Sequence, residues 1–518
     1  MKKTLSLFLA ACLLFALAGG CGDDGSAQQS DGGAQNEPSQ GGEVHRDTVT
    51  VAVDKEPKTL IPYGSNDTGT SPVTSLIYDT LIRFDENMEI EPCIATEWEQ
   101  IDETHFRFKL RDDVYFHNGD RLTAEDVLYT FQQNSTAPAT ASVIGPIDAA
   151  GCAAEDETTF VLALTESYAP LMHTLALDIA GIVNKKAMEA DPDGYAENPI
   201  GTGPFIFKSW TMGDAIQLEA NDEWWGGEIN FDNLILRYIP EATTRAVEVE
   251  TGGVDIAKIT ASDASEMQDN PNVNLITTPI LNVSYLSYNC SKEPFNNVKV
   301  RQAISCAIDA DTIVKNTMFG LGERSYSAIA PDVWGYYNAG EPYGYDVERA
   351  KTLLAEAGYP DGFTTTLLSN GGQTTAEMIQ AYLGEIGITV ELNVVDFANW
   401  LDALLAGRQD MYLGGWTTPS ADAAEGIAAF HSANFGSGGN RSYYANAELD
   451  PLIEQAEREL DETARAELYQ KIQEILAEEA VYVHTNVGQM YIATSPSVQG
   501  LVAMPTQNLR YHALTFTE

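Results

Sequence analysis

Hydrophobic and polar residues alternate through Val49, Val51 and Val53, which predicts a first strand that ends near Asp54 and opens into a loop. Further on, FRFKLRDD reads as a strand, Asn118 and Gly119 as a turn, and the residues after Thr123 as a helix. Thr123 and Asp126 stand at the spacing of a capping motif, with aspartate where glutamate or glutamine is commoner. The pattern is clearest in the second half. Val347, Ala350, Leu353, Leu354 and Ala357 share one face of a helix capped by Asp346 and stopped at Gly358, with Pro360 beyond. A strand FTTTLLS, a helix TTAEMIQAYLGEIG and a strand ITVELNVVDF follow, the last with Ile388, Val390, Leu392 and Val394 in phase. A helix ANWLDALLAG then leads to a strand DMYLGGW. This β-α-β-α-β order predicts a parallel sheet covered by helices on both faces. The stretch GGWTTPSADAAEG, from Gly414, thus begins at the carboxyl end of a strand, where open α/β sheets bind ligands. An acidic helical region from Glu448 to about Ala480, interrupted near Asp461, and a strand-like VYVHTNVGQMYIATS complete the pattern.

The ends of the chain change this picture only by subtraction. Residues 1–20 hold Lys2 and Lys3, an uncharged apolar run from Leu5 to Leu17, and small residues leading to Cys21, which is the layout of a secretory signal. Small residues directly before a cysteine also resemble the bacterial lipobox, with Cys21 as the acylated residue. Ala18 stands where leucine is commoner. Residues 21–46 offer almost nothing to bury and read as a flexible tether. The protein is expected outside the cytoplasm, held at the membrane surface by lipid on Cys21. The net charge of −47 becomes about −49 once the signal is removed, which argues against a nucleic-acid partner and for solubility. Cys93, Cys152, Cys290 and Cys306 form no C-x-x-C pair, so isolated thiols are expected rather than a disulfide framework or a zinc site. The remaining roughly 470 residues exceed one hydrophobic core, and two or three lobes are expected.

Catalytic signatures are missing. The sequence has no G-x-S-x-G, H-E-x-x-H, P-loop or G-x-G-x-x-G, and its seven histidines are scattered singly. The cluster His117, Asp120, Glu125 and Asp126 is better explained by turn chemistry and the helix dipole than by a metal. No cofactor and no catalytic residue are assigned.

Four ordered blocks resemble a known family, the bacterial extracellular solute-binding proteins of the peptide/nickel class, which serve ABC importers. The first runs from VTVAVDKEP to NGDRLTAEDV and includes Trp98. The second is NPIGTGPFIFKSW onward from Asn198, the third YLSYNCSKEPFNNVKVRQAISCAID from Tyr285, and the fourth GGWTTPSADAAEG running on through FHSANFGSGGNRSYYANAELD. The resemblance implies an α/β, two-lobed, periplasmic-binding-protein-like (type II) flytrap with an extra subdomain inserted in the first lobe. The first lobe would comprise 47–283 plus 486–518, with the insertion at about 73–200, and the second lobe 284–485. A short peptide or peptide-like solute would sit between them and pass to permease subunits, the receptor acting as a monomer. The same fold carrying a nickel chelate or haem is the alternative, and a secreted peptidase a distant one.

By the same resemblance, Asp422 matches an aspartate that pairs with a ligand's ammonium and is expected to serve as that anchor, the cap of a helix starting near Ala424 being the alternative. Trp416 is expected to stack on the ligand or to lie in the core, and Thr417 to line the cleft. Tyr63, Asn66 and Thr68 belong to a first-lobe loop facing it. Glu425 reads as a first-turn acid, and Gly201 to Pro204 as a turn. Dipeptide-specific relatives clamp the carboxylate with an arginine before the helix that starts near Thr374, but no arginine occurs from Thr364 to Gly407. Longer peptides or a glutathione-like solute therefore fit better than a strictly clamped dipeptide.

Overall fold

The computed structural model describes residues 45–517; Cys21, the signal and most of the tether lie outside them. Two long antiparallel strands, Asn274–Tyr288 and Tyr482–Thr494, are neighbours in the middle of a mixed sheet of eleven strands. On one side of them lie Ile256–Ile259, Arg46–Val53, Phe231–Tyr238, Ala215–Ala220 and Phe205–Thr211. On the other lie Met411–Thr417, Thr364–Ser369 and Thr389–Val394, and the short Glu323–Arg324, off this path, pairs with Tyr482–Thr494 as the eleventh. These two sides are called the first and second lobes below. Ladder register between the long strands breaks between Pro279 and Val283 and again between Val283 and Tyr285, where the chain crosses from lobe to lobe. Such breaks bend and twist a strand pair locally.

Thr364–Ser369 pairs in parallel with both Thr389–Val394 and Met411–Thr417, as the alternation of strands and helices predicts. Met411–Thr417 then meets Asn274–Tyr288 antiparallel, so the sheet as a whole is mixed. Helices Val347–Glu356, Gln373–Gly384 and Phe397–Leu405 form where the apolar period falls. Asp346 caps the first by accepting from Arg349 N at 2.9 Å, and Gly358 follows it at φ +96°, a left-handed value that glycine adopts without a Cβ penalty. In the edge strand Thr389–Val394 the alternation fades outward: Val390 is buried, whereas Val394 is 56% exposed.

In the inserted region, Ala95–Gln100, His105–Leu110, Thr159–Ala163 and Ala153–Asp156 make a separate four-stranded sheet. Phe160 from it stacks on Phe131 of helix Ala124–Asn134, with ring centroids 5.7 Å apart. That helix carries the capping box, Thr123 N donating to Asp126 Oδ2 at 2.9 Å. Asp126 thereby spends its charge on the cap, while Asp120 pairs with Lys186 at 2.8 Å. The four folded-region cysteines are all unpaired, and only Cys290 is less than fully buried.

The GTGP turn packs against the last carbonyls of helix Ser71–Ile77. Gly203 N donates to the Ile77 carbonyl at 2.9 Å, and a Cβ on Gly201 would lie 1.8 Å from that same oxygen. Gly201→Ala is expected to destabilise the protein by about 1–3 kcal/mol through forced backbone movement; urea unfolding checks it, and an unchanged midpoint would contradict the packing described.

Candidate functional site

A cavity of about 290 Å³ lies between the lobes. The first lobe supplies most of its wall: Asn66 and Thr68 from the loop after the first strand, helix Ser71–Ile77, the turn Asp178–Ala180, and the C-terminal segment from Met504 to His512. The second lobe contributes Thr417 and Pro419, at the end of strand Met411–Thr417. This loop is held against the crossing strand by Thr418 N donating to the Leu281 carbonyl at 2.8 Å. The strand's carboxyl end thus reaches the cavity because its neighbour is the strand that links the lobes.

The wall carries charges in very different states of satisfaction. Asp67 accepts from Ser65 Oγ, Gly69 N, and the N and Oγ1 of Thr70, and these bonds hold its carboxyl down at about 2 despite the cost of burial. Asp79 is fully enclosed and accepts at Oδ2 from Trp225 Nε1 at 2.8 Å and Thr202 Oγ1 at 3.0 Å; burial outweighs these bonds and raises it to about 6. Asp178 accepts from Asn508 Nδ2 at 2.9 Å and is likewise raised to about 6 by burial. Arg83 pairs with Glu91 at 2.7 Å. Arg510 donates Nη2 to the Phe84 carbonyl and forms no ion pair among the described residues. His512, beside the Trp224 ring with centroids 4.8 Å apart, is pushed down to about 4 by burial and by Arg510 and Arg83.

The residues expected from the sequence divide in two. Asn66, Thr68 and Thr417 meet at the cavity wall. Thr68 Oγ1 accepts from Lys55 Nζ at 2.7 Å, and Thr417 Oγ1 from Asn282 Nδ2 at 2.9 Å. Tyr63 does not line the cavity but packs, half-buried, against the first-lobe core. Trp416 lies behind the wall, with the Arg441 guanidinium 5.6 Å from its ring centroid. Asp422 stands deeper still. It is fully buried, its two oxygens accept from Arg465 Nη1 and Nη2 at 2.8 and 2.6 Å, and Oδ1 also accepts from Ala424 N at 2.9 Å. Asp422 does not line the cavity and spends its charge on Arg465 and the helix cap, so the structure places it as a cap and not at an open ammonium site, against that expectation. Glu425 is the first-turn acid of the same helix and accepts from Ser420 Oγ at 2.8 Å.

The lobes also touch at a second place. Ala169 N donates to the Glu457 carbonyl at 3.0 Å, Ser167 Oγ to the Arg458 carbonyl at 3.2 Å, and His173 Nδ1 lies 3.5 Å from Asp422 Oδ2. The inserted subdomain therefore closes onto the second lobe beside the buried ion pair.

Comparison with known proteins gives this geometry its context. The family model of bacterial extracellular solute-binding proteins, family 5 Middle, matches residues 89–437. The chain belongs to that family. Among curated relatives it is 28% identical over 540 residues to heme-binding protein A of Haemophilus influenzae, covering 98% of this chain and 97% of the relative. It is 29% identical over 504 residues to the dipeptide-binding protein of Escherichia coli strain K12, covering 88% and 94%. Among solved structures, HbpA2 from Haemophilus parasuis superposes with a TM-score of 0.82 at 27% identity, covering 91% of this chain and all of the other. DppA from Helicobacter pylori in complex with the peptide STSA gives 0.75 at 28%, covering 92% and 99%. The fold of this family 5 protein is that of the type II periplasmic binding proteins.

Asp79, Asp178, Arg83, Arg510 and His512 went unnoticed in the sequence. Their approach depends on contacts as distant as the 330 positions between Asp178 and Asn508, and no local spacing encodes that.

Two outcomes follow from these charges. Asp422→Asn keeps the shape of the cap but leaves the Arg465 guanidinium buried without a carboxylate, which costs about 3–5 kcal/mol of stability. Urea unfolding should show the loss, and an unchanged midpoint would refute the pairing. For Asp79 and Asp178 the folded-state values lie above the unfolded one, so folding binds protons. The stability this contributes is complete below about pH 4 and is lost as pH rises through about 6. The ligand-free protein should thus lose part of its stability between those limits, and Asp178→Asn should flatten the profile measured by unfolding at fixed intervals of pH.

Proposed function

We propose that this chain is the solute receptor of an ABC importer, which captures a short peptide or peptide-like solute outside the cell and presents it to membrane permease subunits. The observation that supports this most is the cavity itself: it is enclosed between two lobes, and the strand pair linking them has a broken register at the crossing point. Enclosure strips water from a ligand and strengthens each polar contact to it, and closure creates a surface that the open form lacks. The names of the relatives, among them dipeptide-, oligopeptide- and glutathione-binding proteins, support the peptide class.

Binding rather than catalysis is proposed because the chain belongs to a family of solute-binding proteins. Cys93, the thiol on the cavity wall, is pushed up to about 12 by burial, which keeps it protonated and unreactive at neutral pH. No helix among the described residues is long and apolar enough to cross a membrane. Anchoring by lipid on Cys21 is part of the proposal and rests on the small residues that precede it.

The relative named for heme sustains the second reading, a porphyrin or metal-chelate carrier. A volume of about 290 Å³ favours a solute smaller than a porphyrin. Equilibrium dialysis of the mature protein against a mixed pool of di- to hexapeptides, with mass spectrometry of what is retained, decides between them. Retention of a peptide subset at micromolar concentration is expected. Retention of none, with a Soret band in the visible spectrum of the purified protein or a stoichiometric metal by elemental analysis, would overturn the peptide reading.

A further inference from the structure

Asp178 and Arg510 line one cavity without pairing with each other. Asp178 is satisfied by the neutral amide of Asn508, and Arg510 by the neutral carbonyl of Phe84. Neither meets an opposite charge within salt-bridge distance among the described residues. The other ionised groups on the same wall are provided for: Arg83 has Glu91, Asp79 has Arg83 nearby and two or more neutral donors, and Asp67 has four bonds. His512 is neutral.

A guanidinium presents five donors in a fixed fork suited to a carboxylate, and here one donor is used. A carboxylate has about four acceptor positions, and Asp178 spends them on neutral groups only, the Asn508 amide and the nearby Ser71 hydroxyl, which leaves room for an ammonium. Each group is partly buried and lines the cavity. Leaving an acid and a base unpaired in so small a space is costly, and their field on each other is felt without contact, since Arg510 draws Asp178 downward. A ligand that brings one charge of each sign relieves both.

We infer that the cavity recognises a zwitterionic solute of two to three residues, with Asp178 receiving its ammonium and Arg510 its carboxylate. This rests on the peptide reading above. Size agrees with charge: a sphere of about 290 Å³ is about 8 Å across, against about 3.3–3.6 Å for each extended residue. The carboxylate anchor absent from 364–407 is thus supplied from the C-terminal segment of the first lobe, and Asp178 takes the part that Asp422, engaged by Arg465, does not.

The test uses the mature protein and one mixed pool of di- and tripeptides in three forms: free, N-acetylated and C-terminally amidated. Titration of the free pool should give binding that either block weakens by about 30-fold or more, since each leaves a buried charge unpaired. In Arg510→Gln the free and amidated pools should bind alike, while the acetyl block still discriminates. In Asp178→Asn the free and acetylated pools should bind alike, while the amide block still discriminates. Arg510→Lys should restore part of the preference for the free carboxylate. Circular dichroism and urea midpoints confirm that each variant folds. If the wild type binds all three forms equally, or if discrimination at one end survives its matching variant, the inference fails while the peptide reading stands. If hexapeptides bind and the shorter pool does not, the assigned length is wrong. If no peptide of any form binds, both fall.

Discussion

The buried pair between Asp422 and Arg465 ties the loop beside the cavity to the helices and aromatic rings behind it. Arg465 reaches it from helix Glu462–Glu478, also donates to the Ala456 carbonyl at the end of the preceding helix, and lies over the rings of Trp334 and Tyr469. Asp422 in turn caps the helix that follows it, while its neighbours Ala421 and Ala423 exchange backbone hydrogen bonds with Trp334. A buried ion pair is a poor source of net stability compared with packed apolar groups, but removing one partner is expensive. Its effect is to fix position. With the loop pinned at Asp422, Thr417 and Pro419 are held at the mouth of their strand and form the second lobe's side of the cavity.

That pinning has consequences across the cleft. His173, from the inserted subdomain, lies within 3.5 Å of Asp422 and packs near Trp334 and Phe84, so closure brings a third element onto the pair. The backbone contacts of Ser167 and Ala169 with the chain at 457–458 lie beside it. The contacts here comprise two neutral hydrogen bonds, one near-contact of a histidine whose pKa is lowered by burial, and an exposed ion pair between Arg458 and Glu166 at 3.6 Å. The larger cost of bending falls on the two crossing strands, where the register is already irregular.

Much of this architecture is written locally in the chain. Asp346, Thr123 and Asp461 cap their helices because a short polar side chain at the N-terminus can satisfy backbone donors, and that rule acts within three residues. The three parallel second-lobe strands follow from alternation with amphipathic helices. The mixed character of the sheet was not legible, since the antiparallel join between Met411–Thr417 and Asn274–Tyr288 pairs segments more than a hundred residues apart. The candidate site divides along the same line. Thr417 reaches the cavity because it ends its strand, and Asn66 and Thr68 because they lie in the loop that leads into helix Ser71–Ile77, both properties of local pattern. Asp422 was misassigned because one spacing suits both a cap and a ligand anchor, and only the position of Arg465 separates the two.

The cavity shows why the chain's large negative charge says so little about its ligand. Its wall holds arginines and aspartates in near balance, whereas the excess acids lie on solvated surface. The C-terminal segment reaches this wall because the chain must return through Tyr482–Thr494 to finish the first lobe, and its last residues then pass over the cleft floor. Arg510 and Asn508 arrive only when both crossings are complete. Recognition is therefore coupled to the whole fold, and the unpaired charges are a standing cost that the empty protein bears. A ligand present at 100 times its dissociation constant adds about 2.7 kcal/mol to the stability of the form that binds it. Thr417 and Pro419 bring no charge to the wall, so the charged part of the cavity belongs to the first lobe and the second lobe adds enclosure to it.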